Sequence, residues 1–177
     1  MTHRQHSSPG FTIVELIIVI AVIAILATLV TVGFGRVQAT ARDTTRISHL
    51  TDIADAIKVY RLKVGNDIQA GSGCGYAGNG AGWFNYTGGS YPASMLSCLV
   101  GQNFLNSSYT DPLGCATVVG NCSGYMKYTC GTAAVPVTYL YARLEVGGNA
   151  QKLIDTNTCS SSGVATSYGM NYMVVVD

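Results

Sequence analysis

The sequence predicts an α+β fold: a long N-terminal α-helix, half membrane-spanning and half amphipathic, packed on a small antiparallel sheet. Three observations carry that prediction. Residues 16–35 hold no charged side chain. Residues 36–64 turn polar but keep apolar residues at helical spacing. Residues 135–146, VPVTYLYARLEV, alternate with period two.

The chain has 177 residues, room for one soluble domain beside the apolar segment. A formal charge of +1 argues against a general nucleic-acid binder, which would be strongly basic. Charged residues make up 11%, against roughly 25% in ordinary soluble proteins. The surface must therefore draw on Ser, Thr, Asn, Gly and Tyr, which suits a subunit whose neighbours cover much of it.

Six cysteines, Cys74, Cys98, Cys115, Cys122, Cys130 and Cys159, all follow the apolar segment and the helical stretch after it. An even number so placed fits disulfides in an exported domain, and the pairing stays open. A zinc site is disfavoured, because there is no close CxxC pair and His49 is the only histidine beyond the first ten residues. No metal and no cofactor is expected.

The stretch PGFTIVELIIVIAVIAILATLVTVGFGR, residues 9–36, poses the central question. It places one carboxylate, Glu15, at the head of an otherwise uncharged run. A carboxylate in a bilayer is costly unless something pairs with it. At about 1.5 Å per residue, the run from 16 to 35 just crosses a bilayer. Arg4 before the span favours a cytoplasmic N-terminus, and Arg36 and Arg42 after it weaken that preference. A secretory signal would end in an A-x-A-like exit after a short apolar core, and none occurs here. The segment is expected to remain attached as a membrane helix.

Gly10, then Phe11-Thr12-Ile13-Val14-Glu15 and an apolar helix, resemble the class III signal of type IV prepilins and pseudopilins. The resemblance implies cleavage after Gly10 by a prepilin peptidase and methylation of the new amine on Phe11. It also implies a pilin-like lollipop, with a motor ATPase and an assembly platform protein as partners. Glu15 then has a partner outside its own chain. Cleavage creates a cationic amine on Phe11, and packed helices can place that amine near Glu15 of a neighbour. Either charge alone in low dielectric is penalised, so the pair would set the register of an incoming subunit. Gly33 and Gly35, just beyond the span, are candidates for local helix unwinding, each costing up to about 1 kcal/mol in a helix. Close helix packing explains the two glycines equally well.

Beyond residue 36, Ile47, Leu50, Ala54, Ile57 and Val64 recur on one helix face, with Arg42, Arg46, Asp52, Asp55, Lys58 and Arg61 largely on others. One helix from about Thr12 to Val64 would be about 80 Å long. Residues 66–89 are glycine-rich and read as a long loop pinned by Trp83, Phe84 and Tyr86. A short helix is expected within 91–105 and a turn at 109–114, which proline and glycine bracket. "YP", a short helix, "DPLG" and a tyrosine-rich strand add to the resemblance; the cysteine count and the glycine-rich insertion depart from it. Strands are expected over 124–130, 135–146, 150–154 and 168–176, with a hairpin turn at 147–149.

No catalytic set assembles, and an enzyme is not expected. The serines lack a histidine base, His49 reads as a solvated helix residue, and Asp111 and Asp155 read as turn residues. The division expected is a removed leader (1–10), a transmembrane and assembly helix (11–35), an amphipathic continuation (36–64) and a globular head (65–177). The expected protein is a filament subunit, stored in the cytoplasmic (inner) membrane and then assembled with itself outside the cell. The alternatives are a pseudopilin of a secretion or competence machine, and a single-pass anchored binding module that never polymerises.

Overall fold

The computed structural model describes residues 10–65, 67–68, 82–86, 93–107, 109–117, 120, 122–132, 135–146 and 168–176. The side chains of 30–33, 130–132 and 135–136 lie outside that description. The chain divides into two compact units, Met1–Gln38 and Ala39–Asp177. Its elements are α1 (Ile13–Val64), β1 (Gly82–Trp83), α2 (Met95–Gly101), β2 (Met126–Thr132), β3 (Val135–Ala142) and β4 (Tyr172–Val176).

In the first unit, α1 has no core of its own. The large apolar side chains from Phe11 to Leu29 are each about half exposed or more. By length and composition this helix can cross a membrane.

The second unit is an α+β domain. β1 to β4 form one antiparallel sheet in chain order. Alternation along β3 sorts its residues as the sequence predicts. Leu140 and Ala142 join Leu50, Ile53, Ala54 and Ile57 of α1 in one core, with Met95, Leu96 and Leu99 of α2. Tyr139 and Tyr141 face the other way, onto Trp83, Met126, Met170 and Met173. Both sheet faces are therefore packed, where burial of one face was expected. The second face exists because Gly82–Trp83, within the expected loop, pairs with β2 at Lys127 and Met126. β2 runs two residues later than expected, and β3 and β4 are shorter at their outer ends. The expected strand at 150–154 and the turn at 147–149 lie outside the described residues. α2 begins where Ser94 accepts from the Ser97 amide, a side-chain cap on a short helix.

The largest departure from expectation concerns charge. Arg46, expected on a polar face, is 1% exposed and sits at the centre of an ion cluster. Its Nε and Nη2 donate to the two oxygens of Asp111 at 2.6 and 3.1 Å. Its Nη1 donates to Asp43 at 2.8 Å and to Glu145 at 2.7 Å. Asp43 in turn accepts from the backbone amides of Glu145 and Val146. The expected turn at 109–114 is present: Leu113 N donates to Asp111 Oδ1, and Gly114 closes it with φ +80°. Asp111 is thus a turn residue and also an anchor for α1. Val64, expected on the packed face, is 46% exposed.

A second buried cation, Lys127, donates to Asp67 Oδ2 at 2.7 Å and to the Ile68 carbonyl at 2.8 Å. Arg61 donates to Asp67, to Thr138 and to the Val176 carbonyl. Burial would raise the Asp67 carboxyl, but Lys127 and Arg61 outweigh it and hold it below its ordinary value. Both clusters join α1 to the sheet and loops by fully paired charge. Among the described residues no buried side-chain donor or acceptor lacks a partner.

Removing one member of such a cluster strands the others. Arg46→Met is expected to lower the unfolding free energy of the detergent-solubilised full chain by about 3–5 kcal/mol, read by chemical denaturation. Glu145 gives a pH dependence. Its hydrogen bond from Arg42, and then those from Arg46 against the effect of burial, bring its pKa from 4.5 to about 2. The folded value lies below the unfolded one, so this stabilisation is complete above about pH 4.5 and is lost as pH falls toward 2. Glu145→Gln is expected to flatten the fall in melting temperature over that window.

Candidate processing and assembly site

The residues singled out for processing and assembly stand together at the start of α1. Gly10 precedes the helix, exposed, and no atom lies within 4 Å of where a Cβ would project. Phe11 is 87% exposed. Thr12 caps the helix: its hydroxyl accepts from the Glu15 amide at 3.3 Å, and its carbonyl accepts from Leu16 N at 3.3 Å. Glu15 reaches back, and its Oε2 accepts from both the Thr12 amide and the Thr12 hydroxyl at 2.8 Å. This is a reciprocal capping box, Thr-x-x-Glu ahead of an apolar run. The sequence reading missed it, although the signal, Thr12 three residues before Glu15, was present. An acidic residue in the first turn is also favoured by the positive end of the helix.

The backbone is helical through Gly33 and Gly35. A Cβ at Gly35 would meet no atom within 4 Å; the surroundings of Gly33 lie outside the described residues. Of the cysteines, Cys115 and Cys122 form a disulfide, with Cα atoms 6.0 Å apart. Cys98 is also disulfide-bonded. Cys74, Cys159 and the side chain of Cys130 lie outside the described residues. The Cys115–Cys122 loop follows directly on the turn that holds Asp111.

His49 is not simply solvated. Its ring stacks on Tyr109 with centroids 4.4 Å apart, and its Nδ1 lies 2.8 Å from the Tyr125 hydroxyl. Burial pushes its pKa below the ordinary value, against the nearby Asp52 and Asp111. The ring packs α1 against Tyr109 of the 109–114 turn and against Tyr125. Among the described residues no group of three or more His, Cys, Asp or Glu side chains is placed to hold a metal.

Residues 6–31 match the prokaryotic N-terminal methylation motif, the class III signal of type IV pilins and pseudopilins. No curated protein and no solved structure matches the chain. The matched segment contains Gly10, Phe11, Thr12 and Glu15, and it stops short of Gly33 and the head. With a long N-terminal helix and a four-stranded antiparallel sheet, the motif supports a type IV pilin-like or pseudopilin-like protein. It points to a structural subunit rather than an enzyme and fits a membrane-anchored precursor processed by prepilin peptidase.

Thr12→Ala removes the hydroxyl from the capping box. It is expected to cost the helix start about 1 kcal/mol. Hydrogen exchange at the Glu15 and Leu16 amides of the full chain in detergent should quicken by about fivefold. Unchanged exchange at those amides would show that the cap contributes nothing.

Proposed function

We propose that this chain is the structural subunit of a type IV pilus or a pilus-like surface filament. The observation that carries the proposal is the arrangement Gly10-Phe11-Thr12-x-x-Glu15 at the head of an exposed, uncharged helix, inside a matched methylation motif. Prepilin peptidase cuts after Gly10 and methylates Phe11, and residues 11–35 hold the precursor in the cytoplasmic membrane. Residues 36–64 continue the helix, and residues 65–177 form the head displayed outside the cell. A platform protein and a motor ATPase drive the helices out of the bilayer into a bundle of copies. Such a fibre serves adhesion, twitching motility or DNA uptake.

The capping box gives Glu15 two states in this scheme. In the free subunit its Oε2 is held by Thr12, which limits the cost of a carboxylate near the membrane. In the filament the cationic amine of a neighbour's Phe11 meets the same carboxylate, and Oε1 is the oxygen left for it. A mismatched subunit would strand one charge in low dielectric, which selects the register. Unwinding at Gly33 and Gly35 belongs to the same proposal, as the place where the helix lengthens on assembly. A pseudopilin of a secretion or competence machine uses the same motif. The Cys115–Cys122 disulfide and the sparse surface charge favour the surface fibre.

Glu15→Leu separates this reading from an anchored module that never polymerises. The variant is expected to accumulate in the membrane at the wild-type level and to yield at least about tenfold less sheared surface fibre. Unchanged fibre from Glu15→Leu would remove the register role. A wild-type chain that never leaves the membrane would remove the filament.

A further inference from the structure

His49 stands one turn beyond Arg46 on α1, and the two side chains hold the same turn, residues 109–114, in different ways. Arg46 holds it by charge, through Asp111. His49 holds it as a ring. It lies nearly flat on Tyr109, with 15° between the planes, and meets Tyr125 edge-on at 5.8 Å. Its Nδ1 is 2.8 Å from the Tyr125 hydroxyl, and the ring also donates to the Thr110 carbonyl. A carbonyl only accepts, so the Thr110 contact places the proton of the neutral ring on Nε2. Nδ1 then accepts from the Tyr125 hydroxyl, and both nitrogens are satisfied.

The charged ring fits less well. With a proton on each nitrogen, Nδ1 must donate, and the Tyr125 hydroxyl must turn to accept. That aims the hydroxyl hydrogen away from His49 in a side chain only 2% exposed, where an unmade hydrogen bond is costly. Tyr125 keeps the hydrogen, because burial and then Asp111 push its pKa up. Two carboxylates favour the charged ring, Asp52 on α1 and Asp111 on the turn. Both are already engaged. Asp111 accepts from Arg46 and from the Leu113 amide. Asp52 accepts from the Tyr109 hydroxyl and lies on an exposed helix position, where solvent screens it. Burial therefore outweighs the carboxylates and holds the His49 pKa below its ordinary 6.5.

We propose that His49 is an acid-sensitive latch on the head: neutral, it holds the 109–114 turn against α1, and charged, it lets the turn open. The turn carries exposed Thr110, Pro112 and Leu113 and leads directly into the Cys115–Cys122 loop. Mild acid thus changes the surface that the head presents. The folded pKa lies below the unfolded one, so the hold is complete above about pH 6.5 and is lost as pH falls below it. The Glu145 window, from 4.5 down to about 2, lies lower, so the two effects are separable. The inference concerns the head alone and does not rest on the filament reading.

The test is NMR of the full chain in detergent across neutral and mildly acidic pH. The His49 ring is expected to titrate below 6.5. The Leu113 and Gly114 amides, which donate within the turn, are expected to lose protection by at least about fivefold between about pH 7 and 5, after correction for intrinsic exchange. Amides of β3 should keep theirs. His49→Gln, neutral throughout, is expected to abolish the change. A ring that titrates at or above 6.5, protection that stays level in the wild type, or a loss that persists in His49→Gln would each overturn the latch. Should His49→Gln fail to fold, the wild-type ring titration and protection profile decide the matter alone.

Discussion

The exposed apolar surface of the first unit is the constraint on which the account depends. From Phe11 to Leu29, thirteen large apolar side chains are exposed, and none has a core to enter. Fully burying such a side chain is worth roughly 1.5–3 kcal/mol, and these are about half exposed or more, so together they seek burial worth on the order of 10–20 kcal/mol. That is comparable to the whole folding stability of an ordinary domain, about 5–15 kcal/mol. An apolar environment suits this helix better than water. A bilayer meets the demand, and so does a bundle of identical helices. Against that total, a carboxylate that costs about 3 kcal/mol at mid-membrane does little to insertion. In the proposed filament, Glu15 is kept for what it specifies, the register of a neighbouring subunit.

The head solves the opposite problem. A chain with few charged residues spends several of them inside. Arg46 brings together Asp43 of its own helix, Asp111 of the turn and Glu145 just past β3. Lys127 and Arg61 do the same for Asp67. Replacing such pairs by apolar residues of like shape often leaves stability unchanged or raises it, whereas removing one member is damaging. Their contribution is therefore to specificity. Each cation accepts only the arrangement that satisfies all its partners, so the turn and the strand ends have one position against α1. The Cys115–Cys122 disulfide closes the segment that follows the turn, which keeps Asp111 close to its arginine.

Much of this was legible in the sequence, and the rest was hidden for identifiable reasons. Period-two alternation sorted Tyr139 and Tyr141 from Leu140 and Ala142 correctly, because each face of β3 meets a different core. Helical spacing located Leu50, Ala54 and Ile57. The turn around Asp111 was signalled by its proline and glycine. Arg46 and Lys127 were missed because pattern rules place cations in solvent, and the partners Asp111, Glu145 and Asp67 are distant in sequence. β1 was missed because Gly82–Trp83 is too short to show a period, and pairing with β2 creates it. At the site, Gly10, Phe11 and Glu15 lie inside the matched methylation motif, and their processing and assembly roles belong to the proposal. Thr12 was not singled out, although Thr-x-x-Glu before an apolar run is a local signal.

The central claim is that this chain leaves the membrane as a processed subunit. Mass spectrometry of the intact subunit from fibres sheared off the native cell tests it most directly. The account predicts a chain beginning at Phe11 and heavier by one methyl group. A chain found only in membranes and still beginning at Met1 would contradict it.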